Sequence, residues 1–217
     1  AEKIPKNFPN SEKDVLLSTG EQMASALIAG KLCDLGFNSR SWMSWQIPII
    51  TRGNYSSARI IKIGTDQLKK YLKKGGTPII TGFQGLNKES RLTTLERGGS
   101  DASAIMLAKF FKAKRCIIYT DVDGVYTTDP NLTKKAKKIK ALSYEEMLEM
   151  SSLGAKVMQP ASIQDAKLNK VKIDVKSSFT NKMGTQIIGR KKIKNINIIR
   201  GISFTKNDAK VSLLGVK

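Results

Sequence analysis

The chain contains no histidine. That absence excludes Ser-His-Asp and Cys-His nucleophilic chemistry, histidine zinc ligation and imidazole pH switching. Cysteine is almost as scarce. Cys33 and Cys116 are the only two in 217 residues, too few for a disulfide framework or a zinc cluster. Each stands in an apolar stretch and reads as a buried thiol of a reducing compartment. No apolar run approaches the 18 or more residues of a membrane-spanning helix. Residues 1–14 carry neither an apolar h-region nor an Arg-rich amphipathic pattern, so no targeting peptide is expected there. Acid is the remaining scarcity: 18 Asp+Glu against 38 Lys+Arg leave a formal charge of +20. The excess points to an anionic partner, but 30 of the cations are Lys and 8 are Arg. Base-reading and bidentate phosphate surfaces favour Arg. The lysines are dispersed except for Lys134, Lys135, Lys137, Lys138 and Lys140. The expectation is a solvated basic surface that suits phosphates, with nucleic acid not the main partner.

What is present is the composition of a folded domain, 40% apolar and 26% charged. Val15, Leu16, Leu17, Met23, Leu27, Ile28, Leu32 and Leu35 recur at mostly helical spacing over 14–35, with Gly36 as the stop. Ile47–Ile50 and Arg59–Ile63 are short apolar stretches. Thr65 is placed to cap a helix carrying Leu68, Tyr71 and Leu72 that ends at Gly75-Gly76. Thr77–Thr81 reads as a strand and Gly82–Gly85 as a loop. Ala102–Lys112 reads as a helix with Ile105, Leu107, Ala108 and Phe111 inward, and Cys116–Tyr119 as a buried strand. Ser143 with Glu146 forms a capping box. Val171–Val175 alternates like a strand with one wet face. Strands and helices alternate throughout, which predicts an α/β fold with a largely parallel sheet. Lys191-Lys192 and Lys194-Asn195 form a polar seam, after which 196–217 is too short to hold a core.

The densest chemistry lies in Thr93-Thr-Leu-Glu-Arg-Gly-Gly-Ser-Asp101, running into a helix. Gly98 and Gly99 allow backbone to approach a ligand. Ser100 and Asp101 stand where the free N–H groups of a helix start attract anions. Arg97 adds a fork for a carboxylate. The plainer reading is a Gly turn, an N-cap and a surface arginine. Asp121 and Asp123 follow the strand 116–119, where open α/β sheets bind ligands. Asp123-Gly124 is also a turn signal. Gly154-Ala-Lys-Val157 offers Lys156, or else a C-cap glycine with a solvated lysine. Ser18-Thr-Gly-Glu21 puts Glu21 in a helix beside a glycine. Gly20 lowers helix stability by roughly 1 kcal/mol, which suggests close packing or ligand approach.

In order, Ser-Thr-Gly-Glu, Gly-Phe-Gln-Gly, Thr-Thr-Leu-x-Arg-Gly-Gly-Ser-Asp, Thr-Asp-Val-Asp-Gly-Val-Tyr-Thr-x-Asp-Pro, Gly-Ala-Lys-Val and Gly184-Thr185 form a series. It resembles the aspartate kinases of the amino acid kinase family over about residues 14–190. Glutamate 5-kinases and uridylate kinases share the Thr-Asp-Val-Asp-Gly-Val-Tyr version. Ser-x-Gly-Glu with Arg-Gly-Gly-Ser-Asp is what points to aspartate. The resemblance implies a three-layer αβα sandwich with a kinase domain over 1–190, then a linker and the start of an ACT regulatory domain over 191–217. It implies phosphorylation of L-aspartate by ATP, the entry step to lysine, threonine and methionine synthesis, in a cytoplasmic homo-oligomer. A side-chain carboxylate is already a nucleophile, so no general base is needed and catalysis rests on alignment and charge neutralisation.

Residue by residue, the resemblance assigns Glu21 to the substrate α-ammonium, Arg97 to its α-carboxylate and Phe83 to backbone contacts beside it. Ser100 and Asp101 fall at the phosphoryl-transfer locus with Arg97 near. Thr120, Asp121 and Tyr126 line the nucleotide pocket, and Lys156 approaches the ATP phosphates. Mg²⁺ rides mainly on those phosphates, with no protein metal site expected. Three departures from the family pattern stand out. A Lys-Phe-Gly-Gly-Thr-Ser phosphate loop is absent from these residues, so the chain reads as an internal fragment with an incomplete sheet and doubtful activity of its own. Glu96 replaces a Gly before Arg97, bringing bulk and a negative charge that either faces the substrate, occupies the Arg97 fork or swings harmlessly outward. Asn131 replaces an Arg after Asp129-Pro130. A catalytically dead subunit of the same fold is the competing expectation.

Overall fold

The computed structural model describes residues 5, 7–154, 157–190, 193 and 201–203. The chain divides into two compact units: Ala1–Cys116 with Gln164–Val171, and Ile117–Ile163 with Lys172–Lys217. The regulatory start expected over 191–217 lies outside the described residues, apart from 193 and 201–203.

The first unit opens with α1, Asn10–Asp34. It ends as expected at Gly36, whose φ of +83° is open to glycine. There the Gly36 N–H bonds the Cys33 carbonyl and the Phe37 N–H the Leu32 carbonyl. Two strands, β1 (Ser39–Trp42) and β4 (Thr77–Ile80), pair in parallel from Ser39 opposite Thr77 to Trp42 opposite Ile80. A four-stranded sheet runs β3-β2-β5-β6, with β2 at Ile49–Arg52, β3 at Arg59–Ile63, β5 at Gln84–Leu86 and β6 at Leu92–Thr94. Its β2–β3 and β5–β6 pairs are antiparallel and β2–β5 is parallel. Helices α2 (Asp66–Lys73) and α3 (Gly99–Phe110) complete the unit. The core gathers Trp42, Ile47, Ile49, Ala58, Ile60, Ile63, Leu68, Leu95 and Met106. Burying a Leu or Ile side chain is worth about 1.5–3 kcal/mol, so this cluster anchors the sheet that carries the site.

The apolar spacing of α1 is not its inward face. Asp14, Ser18, Ser25 and Ala29 are buried, whereas Met23 is 66% and Leu27 72% exposed. The helix packs on β1, β4 and β6 with small and polar residues because the partners beneath are polar. Gln22 Nε2 donates to Ser18 Oγ at 3.1 Å and to Gln84 Oε1 at 3.2 Å, and the buried Gln84 donates to the Ser18 carbonyl. Cys33, on the outward side of the last turn, is exposed rather than buried, while Cys116 is buried. Thr65 has helical angles and makes no side-chain cap bond. Gln84 and Gly85, expected in a loop, already belong to β5.

The second unit holds the sheet β7-β9-β10-β8, with β7 at Cys116–Thr120, β8 at Ala141–Ser143, β9 at Ile173–Ser177 and β10 at Thr185–Ile188. β10 runs parallel to β8 and antiparallel to β9. Helix α4 (Tyr144–Ser152) starts with the expected capping box. The Ser143 hydroxyl accepts from the Glu146 N–H, and the Glu146 carboxylate accepts from the Ser143 N–H at 2.7 Å. Helix α5 (Pro160–Asn169) begins in this unit and ends in the first. β9 is covered on both faces, with Ile173, Asp174, Val175 and Ser177 all buried, so the wet face expected for it is absent. β7, expected to be buried, leaves Tyr119 62% exposed. Thr185 ties the unit together: its Oγ1 accepts from the Val125 N–H at 2.8 Å and donates to the Ile139 carbonyl at 2.6 Å. The α/β class is the one expected, with parallel pairing at β1–β4, β2–β5 and β8–β10 and antiparallel pairing at β2–β3, β5–β6 and β9–β10.

Candidate functional site

In the first unit, a cleft of about 520 Å³ is lined by α1, the β2–β3 loop and the β6–α3 connection. The connection is built tightly. The Leu95 N–H bonds the Phe83 carbonyl at 2.9 Å, and the Phe83 N–H bonds Ser103 Oγ at 2.9 Å. Ser103 in turn donates to the Gly99 carbonyl at 2.8 Å. These bonds hold Phe83 at φ +64°, a left-handed conformation that is costly for an L-residue. Gly98 caps α3 at φ +83°. A Cβ on Gly99 would stand 2.7 Å from Leu95 Cβ and from Phe83 Cδ2, so only glycine lets the chain turn into α3 here.

The result is a helix start whose first turn carries Ser100 and Asp101 beside the cleft. The N–H groups and partial positive charge of a helix start suit a carboxylate or phosphate. Glu21 reaches this turn from α1, and Ser100 Oγ donates to Glu21 Oε1 at 3.4 Å. Arg97 is exposed and, among the described residues, has no ion-pair partner. Burial pushes the Asp101 carboxyl up from its ordinary value. The fold therefore brings together Glu21, Phe83, Arg97, Ser100 and Asp101, five residues spread over 81 positions of sequence. It adds Lys13, Leu17, Ser56, Thr94 and Leu95, which sequence reasoning missed. The available signal was the polar series Asp14, Ser18, Glu21 and Ser25, spaced i, i+4, i+7 and i+11 along α1.

Glu96 does not line the cleft. It is exposed and forms no ion pair with Arg97 among the described residues. Its bulk and charge stand outside the cleft lining.

Thr120, Asp121 and Tyr126 belong to the second unit. Thr120 ends β7, its carbonyl accepting from the Ser178 N–H and its hydroxyl donating to Asp121 Oδ1 at 3.0 Å. The Asp123-Gly124 turn forms as expected, with Gly124 at φ +145° and no room for a Cβ, which would lie 2.7 Å from Thr185 Oγ1. Tyr126 donates its hydroxyl to Asp123 Oδ1 at 2.7 Å, and Lys138 Nζ lies 3.1 Å from Asp123 Oδ2. The Tyr126 hydrogen bond first, and Lys138 second, hold the Asp123 carboxyl below its usual range. The same hydrogen bond raises the Tyr126 phenol. Tyr126 and Lys138 close an antiparallel bridge, so the lysine-rich stretch is a hairpin excursion. Asn131 sits in that excursion with its N–H on Asp129 Oδ1. Lys156 lies outside the described residues.

Against known proteins, residues 1–177 match the model of the amino acid kinase family. The aspartokinase of Geobacillus stearothermophilus is 42% identical over 217 residues, all of this chain and 53% of that protein. The aspartokinase of Rickettsia felis is 44% identical over 207 residues, 95% of this chain and 52% of that protein. The crystal structure of E. coli aspartokinase III in complex with aspartate and ADP superposes with a TM-score of 0.82 at 31% identity, covering 90% of this chain and 44% of that one. The chain thus spans about half the length of the curated relatives it matches.

Proposed function

This chain belongs to the amino acid kinase family, and we propose that the protein carrying it phosphorylates the side-chain carboxylate of L-aspartate with ATP. One observation carries the reading: a single cleft presents an anion, Glu21, a cation, Arg97, and a helix start at Ser100 and Asp101. Aspartate has a matching ammonium and two carboxylates. Glu21 holds the α-ammonium and Arg97 the α-carboxylate in a two-pronged grip. Phe83 offers backbone beside the substrate. The side-chain carboxylate is then directed at the first turn of α3.

One carboxylate oxygen forms the bond to the γ-phosphorus while the bond to the β,γ-bridging oxygen breaks, giving 4-phospho-L-aspartate and ADP. The α3 N–H groups, with Ser100, Asp101 and Arg97, align the groups and offset the moving charge. Thr120, Asp121 and Tyr126 receive the nucleotide and Lys156 its phosphates. With Tyr126's hydroxyl engaged by Asp123, its ring is the surface left for the nucleotide. Mg²⁺ is carried mainly on the phosphates, consistent with its preference for phosphate oxygens and water. In the same proposal 1–190 form the kinase domain, 191–217 lead into an ACT domain, and the protein works as a homo-oligomer in the cytoplasm. No helix among the described residues is long and apolar enough to cross a membrane.

Trapping the acyl phosphate as a hydroxamate tests the reading. Full-length protein is given ATP, Mg²⁺ and, separately, aspartate or glutamate, with uridine monophosphate as a third acceptor followed by ADP release. Turnover with aspartate alone is expected. Preference for glutamate or the nucleotide would assign the cleft to another branch of the family, and no turnover with any acceptor would mark a catalytically dead subunit.

A further inference from the structure

Asp14 is fully buried, 0% exposed, yet has no cationic partner among the described residues. Its two oxygens meet four donors. Oδ2 accepts from the Ser56 N–H at 2.9 Å and the Thr94 N–H at 2.7 Å. Oδ1 accepts from the Ser56 and Thr94 hydroxyls, each at 2.8 Å. A carboxylate has about four lone-pair sites, and here all are taken. Burying a carboxylate without a cation is costly, and here four hydrogen bonds from uncharged donors offset that cost.

The four donors come from two walls of the cleft, since Ser56 and Thr94 both line it. Ser56 sits at φ +64°, which disfavours an L-residue, and Asp14 binds both its N–H and its hydroxyl. Thr94 ends β6, three residues before Arg97. Glu21 lies two helical turns beyond Asp14 on the same side of α1. Asp14 thus couples the helix that carries Glu21 to the strand that leads to Arg97.

We propose that Asp14 is a positioning residue that sets the spacing between Glu21 and Arg97 by clamping Ser56 and Thr94. The inference deepens the aspartate reading and rests on it. In Asp14→Asn an amide NH₂ replaces one acceptor and faces two donors. The spacing of the two substrate-holding charges is then lost while the transfer locus at Ser100 and Asp101 stays.

The test is steady-state kinetics on the full-length protein, with aspartate and ATP varied separately. Asp14→Asn is expected to raise the aspartate KM about tenfold or more, the scale of hydrogen bonds to a charged group, with the ATP KM within about twofold of the parent. Two Ser56 variants accompany it. Both keep the N–H and lose the hydroxyl, but Ser56→Gly relieves the left-handed strain whereas Ser56→Ala keeps it. Ser56→Ala is therefore expected to raise the aspartate KM more than Ser56→Gly. A uniform fall in kcat with both KM values rising, or identical Ser56 variants, would overturn the proposal. Should Asp14→Asn fail to fold, the Ser56 pair decides. Should the parent not phosphorylate aspartate, the functional reading fails on its own. Amide hydrogen exchange in the 217-residue chain then judges the clamp: protection lost at Ser56 and Thr94 in Asp14→Asn supports it, and unchanged protection sinks it.

Discussion

In the second unit Asp123 is paired twice, with the Tyr126 phenol and the Lys138 ammonium, and its carboxyl is held below the usual range. In the first unit the carboxylates at or behind the cleft have no cationic partner among the described residues. Glu21 meets a serine hydroxyl, Asp14 meets four uncharged donors, and Asp101 is pushed up by burial alone. Arg97 stands beside them with no acidic partner among the described residues. A carboxylate paired within the chain stabilises its own turn. A carboxylate and a guanidinium kept apart leave both charges for a ligand that carries the complements. The second unit therefore uses Asp123 for structure around the Asp123-Gly124 segment, and the first leaves Glu21 and Arg97 open to a ligand.

The contrast is sharpest at Arg97 and Glu21. Under the proposed reading, Arg97→Ala or Glu21→Gln each removes one partner of an ionic substrate group, a loss of about 2–5 kcal/mol where the pair is desolvated. The expected outcome is an aspartate KM raised about 30-fold or more with ATP affinity retained, measured by varying each substrate in turn. Equal losses for both substrates would erase the distinction between the units.

Next comes the second unit's own anchor. Thr185→Val strips the Val125 N–H and the Ile139 carbonyl of their buried partner, and is expected to cost about 1–3 kcal/mol in urea unfolding. Asp123→Asn is a smaller loss, about 1 kcal/mol, because Asn keeps one acceptor for Tyr126. Its pH dependence follows from the lowered carboxyl. The contribution of Asp123 is present above the ordinary carboxylate pKa of about 3.9 and is lost as pH falls through the folded value. The gap between parent and variant should be full at neutral pH and close in acid.

Asp101→Asn should behave in the opposite sense. With its carboxyl raised by burial, the folded state holds that proton more tightly than the unfolded chain does. Stability then falls as pH rises from the ordinary carboxylate value through the folded one. The uncharged variant is expected to match or exceed the parent's stability at neutral pH, with no advantage in acid, while phosphoryl transfer falls. A variant less stable at both pH values would place Asp101 with the structural acids. The smallest effect is expected at Glu96. Glu96→Gly should leave the aspartate KM unchanged and stability within about 0.5 kcal/mol, as for exposed positions without special contacts. A clear improvement in KM would show that the side chain reaches the cleft.

Much of this arrangement is legible in local patterns. The capping box at Ser143 and Glu146, the stop at Gly36 and the glycine-led start of α3 need only nearby residues, because caps and turns satisfy backbone groups within a few positions. The order of short motifs likewise locates Glu21, Arg97, Ser100 and Asp101 before any coordinates. Other features depend on distant partners. Spacing places Leu16, Met23 and Leu27 on one side of α1 and Asp14, Ser18 and Ser25 on the other, yet it does not say which side faces in. The apolar side is the natural choice, and it is the outward one.

Local sequence patterns specify the α/β class, the family and the residues that make the charged ends of the cleft. Long-range packing specifies that Asp14 is buried, that Ser56 and Thr94 are its partners and that Glu96 is exposed outside the cleft lining. Ser56 lies 42 residues and Thr94 80 residues from Asp14 along the chain. Helical period separates two faces but carries no sign. The sign comes from what lies beneath, and the donors that make a polar face the inward one are supplied by strands and loops far along the chain.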